Sequence, residues 1–240
     1  MPSLPLFVLP MVLMPGEIQE LRIFEPRYRQ MLDDCLLDEK NFGLVMNDPF
    51  RPSNAWDGPR SHGCEAEILH HETKGSNHFV QIVGRRRFTV GQVTPPALPP
   101  FSSPMFETVL DDDGILPDVQ ELLEMIPDDA QHSKLYISAD VEYHPLDEDI
   151  SEEQQTILKD LMTHVLNRIG VVLRIEDELL EQWVAERVNR TVDHDADSVY
   201  AVAALILSTL EAKQNILASP TLDEAIEELV HHVALVQEEE

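Results

Sequence analysis

Ten histidines and 45 acidic residues are raw material for metal or acid–base chemistry, so their spacing decides what they can do. His70, His71 and His78 flank a turn, and His231 and His232 stand near the end of a helical stretch. Adjacent histidines on a helix project about 100° apart and cannot both face one ion. Asp193, Asp195 and Asp197 open like a calcium loop. Its sixth position, however, is Ser198 where glycine belongs, and its twelfth is Ala204 where a bidentate glutamate belongs. Helix capping accounts for these residues better. Pairs such as Glu152 and Glu153 arise without catalytic purpose in so acidic a chain. Neither a metal nor a cofactor is expected.

Other chemistries fail on local pattern. A phosphate-cradling P-loop needs glycine directly before its lysine, and none of Lys40, Lys74, Lys134, Lys159 and Lys213 follows one. No two of the nine glycines are two residues apart, which removes GxGxxG; GxSxG and HExxH are absent as well. No catalytic residues emerge, and the chain reads as a non-enzyme.

Binding is the remaining option. The formal net charge of −28 repels phosphate backbones, and Arg85, Arg86 and Arg87 form the one basic cluster. Strand alternation sends Arg86 to the face opposite its neighbours, and nearby acids should neutralise the patch, so nucleic acid is not expected as a partner. The turn-rich stretch 47–62 carries Phe50 and Trp56 among Pro49, Pro52, Gly58 and Pro59, and Met11 and Met14 lie near a Pro15-Gly16 turn. Loop aromatics offer large contact area at small entropic cost, and methionine adapts to varied shapes. Met11, Met14, Phe50 and Trp56 are therefore the candidate peptide-contacting residues; the alternative reading is that all four plug the end of the barrel.

Two halves must position them. Residues 1–110 hold 10 basic and 13 acidic residues, and 111–240 hold 7 and 32. The first half reads as β: short runs at 4–9, 19–24, 42–47, 66–71, 79–83 and 87–93 are separated by Pro, Gly, Asn and Asp clusters. Residues 73–77 supply a hairpin turn. Glu25 and Pro26 start one helix whose stripe of Tyr28, Met31, Leu32, Cys35 and Leu36 should bury Cys35. The stretch 94–134 reads as an elaboration, with a stiff proline segment at 94–100, a break at 111–114 and a short helix at 119–126. A late strand at 135–143 returns to the sheet, and His144-Pro145 leads into an acidic linker.

The second half reads as four amphipathic helices. Ser151 with Gln154 forms a capping box, and the pattern from Ile157 to Ile169 ends at Gly170. Further helices run from Asp177, with Trp183 in the core, across 197–210, and from a Thr221/Glu224 cap. The fold class is α+β, a small β-barrel or sandwich with one inserted helix followed by an acidic helical bundle, with domains at 1–146 and 147–240.

Two cysteines outside any CxxC pair suit a reducing compartment, and cytoplasmic localisation is expected. The apolar opening lacks a basic n-region and carries four prolines, so it reads as mature structure. The longest apolar run, 199–207, falls short of the roughly 20 residues that cross a bilayer, so no membrane association is expected.

Leu4-Pro5-Leu6-Phe7, Met14-Pro15-Gly16, Leu21-Arg22-Ile23-Phe24-Glu25-Pro26-Arg27-Tyr28, Phe42-Gly43-Leu44-Val45, Gly63-Cys64-Glu65-Ala66-Glu67-Ile68 and Val83-Gly84-Arg85-Arg86-Arg87-Phe88 occur in this order. Together they resemble the Lon protease N-terminal (substrate-binding) domain family, closely over 4–93 and more loosely at 137–146 and 213–229. The resemblance implies a PUA-like β-domain followed by a helical bundle. It also implies capture of unfolded or tagged polypeptides, here as a stand-alone member without ATPase or protease domains. The alternative is an adaptor or assembly subunit docking on a specific protease or ATPase partner. Phe24, Glu25, Arg27, Tyr28, Gly84, Arg87 and Phe88 are the structural signature: Glu25 is expected to satisfy N–H groups at the helix start, and Arg27 to tie the helix to strand carbonyls or carboxylates. The sequence leaves the oligomeric state open.

Overall fold

The computed structural model describes residues 1–75, 77–106, 117–144 and 149–238, with side chains through residue 234. Two compact units emerge, one of Met1–Leu13 with Ile18–His144 and one of Met14–Glu17 with Pro145–Glu240. The break predicted at 111–114 and the start of the acidic linker lie outside the described residues.

The first unit is a six-stranded mixed sheet of β1 (Ser3–Leu9), β2 (Ile18–Ile23), β3 (Phe42–Ser53), β4 (Trp56–Lys74), β5 (Asn77–Thr94) and β6 (Ser138–His144), in the order β2-β5-β4-β3-β1-β6. Only β1 and β3 run parallel. Because β6 pairs with both β1 and β5, the pairings of five strands run in a cycle, and β2 hangs on β5 outside it. The runs predicted at 79–83 and 87–93 are one strand, since a bulge absorbs Arg85 and Arg86: Cys64 faces Arg87 and Ala66 faces Gly84, two steps on β4 against three on β5. The 73–77 hairpin forms, with Gly75 at φ +61° and Lys74 opposite Asn77.

Inside the cycle, Leu4, Leu6, Val8, Val45, Phe88, Ile137, Ala139 and Val141 form one core. Two glycines make room for the Phe88 ring. A Cβ at Gly43 would stand 2.6 Å from Phe88 Cζ, and one at Gly63 would stand 2.7 Å from it and 2.8 Å from the Leu44 carbonyl. Helix α1 (Pro26–Leu37) buries Tyr28, Met31, Leu32 and Cys35. Burial, with Asp34 and Asp38 nearby, pushes the Cys35 thiol up to about 12, so it stays protonated. The elaboration builds its own small core from Leu98, Phe106, Leu122 and Leu135, under helix α2 (Val119–Glu124). The Gln30 side chain fastens it, donating to the Ser133 carbonyl and accepting from Leu135 N–H.

The described residues of the second unit form five helices, α3 (Glu152–Val172), α4 (Asp177–Thr191), α5 (Asp197–Ile206), α6 (Leu210–Ala218) and α7 (Leu222–Glu238). The single helix predicted over 197–210 is therefore two segments, broken at Leu207; Thr209 caps the second by accepting from Ala212 N–H at 3.2 Å. The Ser151 capping box is present, and Thr221 accepts from Glu224 N–H. Gly170 does not end α3. A Cβ there would meet Leu180 at 2.2 Å, so its role is close approach of α4. The helix instead ends in a Schellman pattern, with Arg174 at φ +55° and Ile175 N–H donating to the Gly170 carbonyl. Trp183 is 43% exposed, against the expectation of a core position, because Leu180, Val184 and Val188 form the buried stripe. No helix among the described residues is long and apolar enough to cross a membrane.

Candidate functional site

The tip of the β3–β4 hairpin presents Phe50. Asp48 faces Gly58 and Ser53 faces Trp56, so five steps on β3 match two on β4 and the excess residues bow out of the ladder. Pro49 and Pro52 bracket this bulge and lock φ at two of its positions. Asp48 Oδ1 accepts from Phe50 N–H at 3.0 Å, and Asn47 donates to Asp57 at 2.7 Å. The bulge folds directly over Gly58, where a Cβ would lie 1.9 Å from the Arg51 carbonyl oxygen. Asn54 and Ala55 close the hairpin at φ 47° and 64°, the paired left-handed conformation of a tight two-residue turn. Held this way, Phe50 is 92% exposed. Beside the bulge runs a groove of about 440 Å³ lined by Arg51, Pro52, Arg60, Val90, Val93 and Pro95.

The other three candidates are not among the residues that line the groove. Trp56 is half-buried: its Nε1 donates to the Leu98 carbonyl at 3.0 Å, its ring meets Phe101 edge-on at 5.9 Å, and the Arg27 guanidinium lies 3.6 Å above it. It is an anchor for the elaboration. Met14 is fully buried in the Pro15-Gly16 turn, where its N–H donates to Glu17 Oε2 and its carbonyl accepts from Glu17 N–H. Met11 is half-buried.

The signature residues are mostly fixtures of packing. Glu25 occupies the cap position of α1 yet makes no side-chain cap bond, because its carboxylate pairs with the Arg27 guanidinium instead. Arg27 is thereby held between the rings of Tyr28 and Trp56 and ties the helix to those aromatics. Tyr28 donates to the Val8 carbonyl at 2.8 Å, and its burial pushes the phenol well above its ordinary value. Gly84, Arg87 and Phe88 are buried. Phe24 is the exception at 60% exposure.

The basic cluster is matched by carboxylates, as the sequence suggests. Arg85 pairs with Glu67 at 2.5 Å, and Arg86 makes two bonds to Glu65 at 2.7 and 2.9 Å. The bulge upsets the predicted alternation, so Arg85 and Arg86 are both exposed while Arg87 is buried. Burial alone would raise the Glu65 carboxyl, but hydrogen bonds from Arg86, Asn41 and Tyr143 overcome it and hold the group below its usual range.

The histidine and acid motifs become local links. His71 and His78 stack at 5.6 Å and share contacts with Thr73. Asp193 Oδ1 accepts from Asp195 N–H and from the Ser198 hydroxyl, which closes a loop ahead of α5; the cap position itself is Ala196 and has no side-chain bond. His232 pairs with Glu228 at 3.1 Å. Among the described residues no three His, Cys, Asp or Glu side chains are grouped to hold a metal ion.

Sequence reasoning missed an apolar cleft of about 360 Å³ in the helical unit, lined by Val165, Ile169, Val172, Ile206, Leu207 and Val233. The missed signal is the Ser208-Thr209 cap, which ends the apolar run beside this cleft.

A family model for the ATP-dependent protease La (LON) substrate-binding domain matches residues 3–234. Among solved structures, a Lon N-terminal domain protein from Xanthomonas campestris is similar at 20% identity and TM-score 0.57, covering 96% of this chain and 98% of that one. The N-terminal domain of a Mycobacterium avium complex Lon protease is similar at 16% identity and TM-score 0.60, covering 97% and 98%. At these identities the likeness is one of fold. No curated protein matches the chain.

Proposed function

From the premise that the chain belongs to the Lon substrate-binding domain family, we propose that it is a non-catalytic module that holds unfolded or exposed apolar segments of other polypeptides. The observation that carries this reading is Phe50, a large aromatic held 92% exposed on a proline-bracketed bulge beside a groove. An aromatic that folding leaves in water, on a backbone already rigid, loses little entropy when it meets a partner. Val90 and Val93 supply apolar contact to the groove, and Arg51 and Arg60 are among the residues that line it. The acidic helical half would keep client complexes in solution and disfavour acidic clients.

The adaptor reading rests on a different surface. Val171, Val172 and Leu173 end α3 with exposures of 70%, 79% and 65%, next to the apolar cleft, and suit a single dedicated partner.

Fluorescence anisotropy of a labelled, permanently unfolded protein titrated with the chain separates the two. Client capture predicts binding that Phe50→Ala weakens about tenfold, a typical loss for a central aromatic contact. Absence of binding at tens of micromolar overturns capture and leaves the dedicated partner.

A further inference from the structure

The free edge of β2 is complementary to itself. Strand β2 ends the sheet and, among the described residues, pairs only with β5. An unpaired edge presents a row of backbone N–H and C=O groups that another strand can satisfy. Natural edges are commonly guarded by prolines, bulges or inward-pointing charges, and residues 18–23 carry no proline and keep unbroken register with β5. Ile18, Glu20, Arg22 and Phe24 are all exposed. Ile18 at 57% and Phe24 at 60% are the apolar members, and the Arg22 guanidinium lies 5.7 Å from the Phe24 ring.

We propose that two copies of this chain pair antiparallel through β2, centred on Leu21. A two-fold axis perpendicular to the sheet then sets Glu20 opposite the second copy's Arg22 on both sides of the centre. It sets Ile18 opposite the second copy's Phe24, the residue that follows β2, at both ends. Directly opposed side chains lie about 5 Å apart, within reach of an ion pair and of apolar contact. The neighbouring symmetric registers are worse. Centring on Glu20 opposes two glutamates, and centring on Arg22 opposes two arginines, so charge selects one alignment. Arg22 Nε already donates to Asn77 Oδ1 at 2.9 Å, which orients the guanidinium and leaves its other donors for the second copy. The result is an isologous dimer with a sheet running through both copies. This inference is independent of the proposed client binding, which uses the β3–β4 tip.

Sedimentation equilibrium of the full chain from about 1 to about 300 µM tests it, a span that brackets micromolar association. The wild type is expected to move from 27.3 kDa toward twice that mass with rising concentration. Glu20→Arg and Arg22→Glu each oppose like charges and are expected to raise the dissociation constant at least tenfold. The double variant Glu20→Arg, Arg22→Glu restores opposite pairs and is expected to dimerise again. All three change exposed side chains, and circular dichroism checks their folding. A wild type that stays at 27.3 kDa throughout overturns the proposal. So do single variants that dimerise like the wild type, or a folded double variant that remains monomeric. Pairing of β2 with an added unfolded protein but not with a second copy assigns the edge to clients and also overturns it.

Discussion

Phe50 and Phe88 belong to the same β unit and stand at opposite limits, 92% and 0% exposed. Phe88 fills a slot that Gly43 and Gly63 leave vacant, in a core drawn from β1, β3, β5 and β6 together with Ile137. Phe50 is held through its backbone, whose N–H donates to Asp48 Oδ1. Around the first, Gly43, Gly63 and Phe88 define one packing solution. The second lies on a bulge that no signature residue occupies. Packing dictates the first residue, and the bulge leaves the second in water.

The largest test of this contrast is Phe88→Ala. It empties a slot walled by backbone and by rigid strands, and a loss of about 3–5 kcal/mol is expected in urea unfolding. Trp56→Ala comes next. It removes the bond to the Leu98 carbonyl and the stacking on Arg27, and about 2 kcal/mol of stability is expected to go, with the elaboration at 94–134 exchanging amide protons faster.

Glu65 sharpens the comparison by pH. A carboxyl held below its usual value in the folded protein stabilises fully above its unfolded pKa of about 4.3, and that contribution is lost as pH falls through the folded value. The stability gap between wild type and Glu65→Gln is accordingly expected at pH 6 and shrinks below about pH 4, measured by denaturant midpoints at each pH. The smallest effect belongs to Phe50→Ala, whose stability should stay within about 0.5 kcal/mol of wild type, as for exposed sites generally.

Much of the fold is legible in the sequence because local rules and tertiary demands agree there. Pro26 at the helix start, the Tyr28 to Cys35 stripe, the Gly75 turn and the Ser151 and Thr221 caps each leave a mark within a few residues. The misreadings share a cause. Gly170 looks like a helix stop, yet the reason for glycine is Leu180 on the next helix, which no local pattern announces. Glu25 looks like a cap, but a nearby guanidinium competes for its carboxylate. The Arg85 to Arg87 alternation fails because a bulge inserts one residue into β5. At the candidate site, both aromatics of the 47–62 stretch stand out by type, and nothing local separates them. Trp56 is drawn inward by Leu98 and Phe101, more than 40 residues away, while Phe50 has no such partner.

The most direct measurement is a titration of the isotopically labelled chain with an unlabelled unfolded protein, followed by amide chemical shifts. Client capture at the β3–β4 tip predicts shifts confined to the bulge and groove, at residues 48–53, 60–61 and 90–93, with the amides around Phe88 unmoved. Saturating shifts around the α3, α5 and α7 cleft, with the bulge silent, would contradict it.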